Sequence, residues 1–473
     1  MDRGLRLSLL IAGIGGLALR IRILAGPLGE LDADEAVTGL MAERMLEGKP
    51  ALFYWGQQYG GTIDSIVTAP ALAVTGSAVW AAKAVMIAFH LVACVIVWRI
   101  GRRIHDERAG LVAAAVFWVF SPAVVWWSTK TRGFYGAALV LSLLTILLVV
   151  RLVQRVGETD RRADRDDLLL VGFVVGMAWW TSPIAFFSIG PAVLVGLVLR
   201  RDLWRRLHLT IVPFLLGGVP WWVFNLLKGF SSLESPAETS TSYWDRLDGL
   251  VTVMVPMLTG LREPFSADWA LGAGVATVVL VLGLGAAWRM RDRSWIPIVV
   301  IVAYPLVAAV SATSEYVGEP RYGYLLAPVI ALVVGGVAAR SAVASALVPV
   351  ALFTTTVLGV VALTDMGVER RLDNYDLAPA DTAPLIDELE ARGVDVLYAE
   401  YWLAYRITFE SDLIAAPTHS SRDQTILEAA EAADRPPVAF YRDSDSLREF
   451  VRVFGTDPFE RIDLEYFVVF VPR

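Results

Sequence analysis

The chain contains 473 residues, of which 56% are hydrophobic and only 19% are charged, with a net charge of −7. An average soluble domain carries about a quarter charged residues, and here the charge lies in short segments between apolar stretches that approach the roughly 20 residues of a membrane span. These features exclude a soluble enzyme. They also exclude a membrane β-barrel, whose strands would alternate apolar and polar residues.

An α-helical membrane protein of about eleven transmembrane helices is therefore predicted, because a segment in lipid must satisfy its own backbone hydrogen bonds. The apolar stretch Leu7–Leu19 is interpreted as a retained first helix, since Arg20 and Arg22 follow it and no small-residue cleavage site is evident. Ten further spans are predicted near Ala81–Trp98, Leu111–Trp127, Ala137–Leu152, Leu168–Thr181, Ile184–Leu199, Thr210–Leu227, Leu271–Trp288, Trp295–Val310, Tyr324–Val337 and Leu347–Leu363.

The connections between these spans alternate in charge. One set, at residues 99–108, 151–165, 200–206 and 289–293, is rich in arginine, and the other, at residues 32–35, 234–248 and 315–319, is acidic. Cytoplasmic loops of membrane proteins collect Lys and Arg. The alternation predicts a multi-pass protein of the cytoplasmic membrane with its N-terminus in the cytoplasm and its acidic loops outside.

The composition changes after Thr364, which predicts two domains: a transmembrane domain at residues 1–364 and a small extracytoplasmic α/β domain at residues 365–473. The second domain combines short apolar strands with amphipathic helices. Strands are predicted at Val394–Tyr398, Pro437–Tyr441 and Tyr466–Val471, and helices at Thr382–Arg392 and Ser444–Phe454.

The first external loop carries a pair of acids, Asp34 and Glu35, ahead of apolar residues at helical spacing and a stop at Gly48. One interpretation makes Asp34 the N-cap of a short amphipathic helix. The other makes the two carboxylates catalytic, because an acid at the membrane surface can deprotonate an acceptor hydroxyl. The sequence leaves both open.

Aromatic residues and glycines follow in the segment Phe53–Gly61, which includes Tyr59. Such residues anchor a loop at the membrane interface, and they also stack on sugar rings. Asp64 stands at the edge of the next apolar run, where an ionisable side chain is costly unless it is paired or lines a wet cavity. Tyr59 and Asp64 are therefore candidate substrate-binding residues.

Cations occur in two of the predicted external loops, against the general trend. Lys130 and Arg132 lie in the second, and Arg321 lies beside Tyr322 in the fifth. Guanidinium groups suit two-point binding of phosphate. Interfacial snorkelling or pairing with a nearby Glu is the alternative for each arginine. Both loops face the same predicted side as Asp34, which favours a phosphate site.

The acidic pair, the turn Ala42–Gly48 and the Arg321–Tyr322 dipeptide together resemble GT-C-type glycosyltransferases, the group related to protein O-mannosyltransferases and the lipid A aminoarabinose transferase. The resemblance implies an inverting transfer of a hexose or pentose from a polyprenyl-phosphate donor. The implied acceptor is a lipid, polysaccharide or protein outside the membrane, with membrane lipids as further partners and no nucleic acid.

Carried over by position, the resemblance makes Asp34 the catalytic carboxylate with Glu35 as its neighbour. Arg132 and Tyr135 match a second-loop motif, and Arg321 and Tyr322 would contact the donor phosphate. Members often carry an acid before the second-loop arginine, where this chain has Lys130 and Thr131. No metal site is predicted, since the four histidines lack ligand spacing, and a need for a divalent cation is left open.

Two other functions fit the same pattern: a transporter or flippase for lipid-linked saccharides, and a non-catalytic cell-envelope scaffold. Transporters tend to show internal repeats and polar residues in mid-span, and neither is evident. Convergence of Asp34, Arg132 and Arg321 on one cavity would favour transfer, whereas their dispersal would favour the scaffold.

Overall fold

The structure is a computed structural model that describes residues 2–76, 78–155, 161–233, 239–265, 268–270, 272–289, 291–369 and 377–473. Parts of the predicted connections at 151–165, 234–248 and 289–293, the first residue of the predicted span Leu271–Trp288, and residues 370–376 of the predicted second domain lie outside these ranges.

Helices make up most of the chain before residue 370. They are α1 (Arg3–Leu24), α2 (Ala33–Leu46), α3 (Ile63–Thr75), α4 (Val79–Ile104), α5 (Glu107–Trp118), α6 (Pro122–Trp127), α7 (Tyr135–Gln154), α8 (Arg161–Thr181), α9 (Phe186–Leu199), α10 (His208–Gly217), α11 (Val219–Leu227), α12 (Tyr243–Gly249), α13 (Val255–Leu258), α14 (Ala273–Arg289), α15 (Arg291–Ala308), α16 (Ala327–Ala338) and α17 (Ala342–Glu369). A short hairpin, β1 (Phe53–Tyr54) and β2 (Gln57–Gly61), lies between α2 and α3.

Each of the ten predicted spans falls on helix, and two of them are broken. The predicted span Leu111–Trp127 divides into α5 and α6 just before Pro122, which has no backbone N–H to continue the helical ladder. The predicted span Thr210–Leu227 divides into α10 and α11, which are bent by 69°.

The chain is a multi-pass membrane protein. Among the described residues, α1, α4, α7 and α17 are long and apolar enough to cross a membrane, and the bent pair α10–α11 would be a fifth crossing. Shorter apolar helices include α3, α14, α15 and α16. The total of about eleven spans therefore stays a prediction.

The helices of the membrane part pack closely against one another, and α7 lies among them. Helices α4 and α5 cross where Gly101 meets Gly110, and a Cβ on Gly101 would lie 2.9 Å from the Gly110 Cα. Small residues of this kind let membrane helices approach each other closely. Helix α7 packs against α4, α8 and α9, and it begins at Tyr135 beside the loop that carries Arg132.

The C-terminal region is a small α/β unit, as predicted. It contains α18 (Ala383–Ala391), β3 (Val396–Ala399), α19 (Tyr401–Glu410), β4 (Ile414–Pro417), α20 (Gln424–Ala432), β5 (Val438–Tyr441), α21 (Asp445–Phe454), β6 (Phe459–Asp463) and β7 (Phe467–Pro472). The strand order is β4-β3-β5-β7-β6, with β3 parallel to both β4 and β5, and β7 antiparallel to both β5 and β6. The three predicted strands and two predicted helices are present, whereas β4, β6, α19 and α20 were not predicted.

Both faces of this sheet are covered, as the alternation along β7 requires. Phe467 and Val469 belong to the core formed with α18 and α19, and Val468 and Phe470 to the core formed with α21.

Helix α19 also packs against α2, the helix that carries Asp34. The contact is tight at Gly39, where a Cβ would lie 2.4 Å from the ring of Phe409. The C-terminal region therefore rests directly on the first loop of the membrane part.

Candidate active site

The start of α2 is fixed by a reciprocal pair of hydrogen bonds. The Glu35 backbone N–H donates to Asp32 Oδ1 at 3.0 Å, and the Asp32 N–H donates to Glu35 Oε2 at 3.2 Å. This capping box satisfies two N–H groups that a helix start leaves without partners. The interpretation of Asp34 as the N-cap is wrong, because Asp32 occupies that position.

Glu35 is fully buried and its carboxylate is surrounded by donors. Lys83 Nζ lies 2.6 Å from Oε1, and Lys130 Nζ lies 3.1 Å from Oε2. The backbone N–H of Thr131 donates to Oε1 at 2.9 Å. These contacts engage both carboxylate oxygens inside the protein, and we therefore assign Glu35 to the support of the site and not to its chemistry.

Asp32 extends this arrangement toward the second loop. Its Oδ2 accepts from Arg132 Nε at 2.7 Å and lies 3.4 Å from Lys130 Nζ. Burial by itself raises the pKa of Asp32, but the charges of Arg132, Lys130 and Lys83 outweigh it and hold that pKa below its usual range. We call these residues the buried charge cluster: Asp32, Glu35, Lys83, Lys130 and Arg132.

Helical geometry explains why the neighbouring acids have different surroundings. Asp32, Glu35 and Thr38 are three residues apart and share one face of α2. Thr38 Oγ1 accepts the N–H of Gly133, whose φ of +65° allows the second loop to turn there. Asp34 is rotated by about 100° from Glu35, and it faces an open pocket instead.

This pocket has an empty volume of about 440 Å³. Six of the predicted site residues line it: Asp34, Tyr59, Arg132, Tyr135, Arg321 and Tyr322. Tyr54, Gln57, Gly133, Phe134, Ile184 and Thr313 complete the lining. The structure thus brings the acid of the first loop together with the arginines of two other loops.

The two arginines are held in different ways. Arg132 is anchored through Nε by Asp32, and its guanidinium carbon lies 5.4 Å from the centre of the Trp127 ring. Arg321 Nε lies 2.6 Å from a carboxylate oxygen of Glu319, so the predicted pairing with a nearby Glu is present. Both arginines still line the pocket, where they supply positive charge for an anion.

Tyrosines supply hydroxyl groups to the same pocket. Burial raises the pKa of Tyr59, and burial raises the pKa of Tyr322 to about 12. Both side chains therefore stay protonated at neutral pH and can donate hydrogen bonds. Tyr135 stacks on Phe134 at a ring distance of 5.1 Å.

Three predicted site residues support the pocket from behind instead of lining it. Glu35 and Lys130 belong to the buried charge cluster. Asp64 is buried, and its two carboxylate oxygens accept the N–H groups of Gly136 and Ala137, each at 2.9 Å. Asp64 therefore caps the start of α7 and fixes the position of Tyr135.

Three charged residues at the site, Asp32, Lys83 and Arg422, were not predicted as site residues. Asp32 was noted only as part of the acidic connection at residues 32–35. Lys83, in the predicted span Ala81–Trp98, could have been found from the cost of an ionisable residue in an apolar helix. Arg422, in the C-terminal region, places Nη1 3.1 Å from Asp34 Oδ1. It follows the unpredicted strand β4, and no local pattern singled it out.

Within the described ranges, no group of three or more His, Cys, Asp or Glu side chains comes together in a way that could hold a metal ion.

Comparison with known proteins agrees with this architecture. A family model for dolichyl-phosphate-mannose-protein mannosyltransferase matches residues 65–225, a segment that includes Arg132 and Tyr135 but neither Asp34 nor Arg321. No curated protein matches the chain by sequence.

Among solved structures, ArnT from Cupriavidus metallidurans in the apo state is similar with a TM-score of 0.64 and 15% identity, over 97% of this chain and 98% of that one. The oligosaccharyltransferase of Archaeoglobus fulgidus, in complex with Zn and sulfate, is similar with a TM-score of 0.51 and 12% identity, over 92% of this chain and 68% of that one. The predicted resemblance is confirmed, and the chain has the fold of the GT-C glycosyltransferases.

Proposed function

We propose that this protein is an inverting glycosyltransferase that moves a hexose or pentose from a polyprenyl-phosphate donor to an acceptor on the outer face of the cytoplasmic membrane. The observation that carries the proposal is the meeting of Asp34, Arg132 and Arg321 in one pocket. This convergence supports transfer over the scaffold alternative, which needs no such meeting.

The donor class follows from the charges of the pocket and from the fold. Arg132 and Arg321 both line the pocket, and guanidinium groups match the geometry of a phosphate. The GT-C enzymes that share the fold use polyprenyl-phosphate-linked donors.

The chemistry assigns one task to each side of the pocket. Asp34 takes the proton of the acceptor nucleophile, which forms a bond to the anomeric carbon from the face opposite the phosphate. The bond from that carbon to the phosphate oxygen breaks, and the electron pair leaves with the polyprenyl phosphate. Arg132 and Arg321 stabilise the charge that gathers on the phosphate.

The outer-face location rests on the position of the pocket relative to the arginine-rich connections. Helix α7 begins at Tyr135 in the pocket and is about 30 Å long. At its far end, Arg200 donates to the Leu152 carbonyl, and Arg103 contacts Gln154. Because arginine-rich ends face the cytoplasm, the pocket is expected on the other side.

Two measurements test the proposal. Mass spectrometry of lipids that copurify with the protein is expected to find a polyprenyl phosphate or its glycosylated form. With that donor labelled in its sugar, membranes containing Asp34→Asn should transfer at least 100-fold more slowly than wild type, since the loss of a general base typically costs roughly 10²–10⁴-fold.

Glu47→Gln is the matched control, because Glu47 directly follows the last residue of the same helix, its side chain is 46% exposed, and it lies outside the pocket lining. Wild-type transfer is expected from this variant. Full transfer by Asp34→Asn would overturn the assignment, and movement of labelled donor across liposomes without transfer would favour the flippase.

A further inference from the structure

We infer that the C-terminal α/β region completes the transfer site, with Arg422 as the positioning residue that holds the Asp34 carboxylate for the acceptor. The inference rests on the proposed function of Asp34. It starts from the ion pair between Arg422 Nη1 and Asp34 Oδ1 at 3.1 Å, which joins residues 388 positions apart.

The loop that carries Arg422 is firmly built. It connects β4 to α20, and the Arg422 backbone N–H donates to the Tyr405 hydroxyl at 2.7 Å. The next residue, Asp423, caps α20 through the Thr425 N–H at 2.9 Å and pairs with Arg44 of α2 at 3.2 Å. The loop at Arg422 is thus tied to α19 through its own backbone N–H, and to the helix that carries Asp34 through the neighbouring Asp423.

The side chain of Arg422 is enclosed on several sides. Its guanidinium carbon lies 5.3 Å from the Tyr401 ring centre and 5.8 Å from that of Tyr54. A Cβ on Gly56, whose φ is +74°, would lie 3.2 Å from the Arg422 side chain. Only 14% of the Arg422 side chain and 15% of the Asp34 side chain are exposed, so water screens the pair weakly.

The topology of the C-terminal sheet also favours ligand binding near Arg422. Arg422 and Tyr401 follow the carboxyl ends of β4 and β3, which are parallel neighbours in the sheet. In open α/β sheets, ligands bind outside the carboxyl ends of the strands where the strand order reverses. The order β4-β3-β5 reverses at β3; Tyr401 follows that strand, and the Arg422 guanidinium carbon lies 5.3 Å from the centre of its ring.

These contacts assign the donor and the acceptor to different parts of the protein. The arginines that line the pocket, Arg132 and Arg321, belong to the membrane part, whereas Arg422 contacts Asp34 from the C-terminal region. Because an arginine stays charged in a protein, Arg422 takes no part in the proton transfer. It orients the carboxylate that accepts the proton.

The test compares Arg422→Ala, Arg422→Lys and Arg452→Ala in full-length protein. Arg452→Ala is the matched control, because it removes an exposed arginine of the same region that pairs with Glu449 on its own helix, α21, and lies outside the pocket lining. We expect kcat for transfer to fall roughly 10- to 100-fold in Arg422→Ala, the size of effect that a small misplacement of a catalytic group produces. Arg422→Lys should restore part of this loss, and Arg452→Ala should transfer sugar as wild type does.

Donor binding is measured separately with undecaprenyl phosphate as the probe, by its effect on the melting temperature in detergent. Arg422→Ala should bind the probe as wild type does, so that the loss lies in kcat and not in the KM for donor. Wild-type kcat in Arg422→Ala, or an equal loss in Arg452→Ala, would overturn the inference. Wild-type protein that neither binds the probe nor transfers sugar would overturn the proposed function instead.

Discussion

The buried charge cluster and the pocket lie on adjacent faces of the same short helix, and they use charge in opposite ways. In the cluster, Glu35 and Lys83 are almost fully excluded from water and are paired with each other. In the pocket, Asp34 remains partly exposed next to a space that can take a ligand. The comparison teaches that the charge of a residue does not reveal its role. The ion pairs that it forms and its exposure to solvent do.

The largest effect is expected from breaking the cluster. Glu35→Ala removes the carboxylate that pairs with Lys83 and Lys130, and an uncompensated buried charge costs about 3–5 kcal/mol. Urea unfolding in detergent should show this loss, and Glu47→Gln should stay within about 0.5 kcal/mol of wild type. A stable Glu35→Ala variant would mean that the cluster does not hold the fold.

The next effect separates binding from stability. Arg321→Ala should weaken binding of undecaprenyl phosphate by about 1.5–3 kcal/mol, the value of a hydrogen bond to a charged group. The free energy of unfolding should change less than donor binding, because the ion pair of Arg321 with Glu319 is partly exposed to solvent and such pairs contribute little to stability. Arg340→Ala, an exposed arginine beyond the far end of α16, serves as the control for loss of positive charge. Equal binding by both variants would remove Arg321 from the donor site.

A smaller effect is expected from Asp64, which should contribute both to the stability of the protein and to the rate of transfer. Asp64→Ala leaves two N–H groups at the start of α7 without their acceptor and should cost about 1–2 kcal/mol of stability. Asp106→Ala removes a similar cap from α5, where Asp106 accepts the Ala109 N–H at 2.8 Å. Stability should fall in both variants, but transfer should slow only in Asp64→Ala, since α7 begins with Tyr135. Equal transfer rates would argue against this link.

The smallest expected effect is the pH dependence of the melting temperature that Asp32 causes. Its folded pKa lies below the ordinary value of 3.8, so its contribution to stability is complete above that pH and is lost as the pH falls further. Melting temperature should therefore be flat with respect to this group between about pH 8 and 5 and decline below about pH 4. Asp32→Asn should start lower and decline less steeply, and parallel curves would contradict the assignment.

Much of the fold could be predicted because its cause is local. Apolar stretches of span length became helices, and the amphipathic segments after residue 380 became the sheet and helices of the C-terminal region. The convergence of Asp34, Arg132 and Arg321 was also predicted, since charge alternation put their loops on one side and the resemblance gave them one task.

The remaining features depend on contacts that the local sequence does not encode. Asp34 and Glu35 are equivalent in a sequence, and only the position of the helix start at Asp32 decides which one faces the pocket. Asp64 was singled out by the free-energy cost of an ionisable side chain at the edge of an apolar run. Its partners, however, are backbone N–H groups more than 70 residues away in the sequence. The local sequence does not distinguish Arg422 from the other arginines. Only the packing of α19 on α2 brings it next to Asp34.

The contact at Gly39 has a consequence of its own. Because the Phe409 ring occupies the space where a side chain would begin, even a methyl group at this position acts as a wedge between the two halves of the protein. Gly39→Ala would force either the Phe409 ring or α19 as a whole to shift from its place against α2, and a shift of α19 would move Arg422 relative to Asp34 while leaving every charge in place. One missing side chain thus sets the distance between the C-terminal region and the helix that carries Asp34.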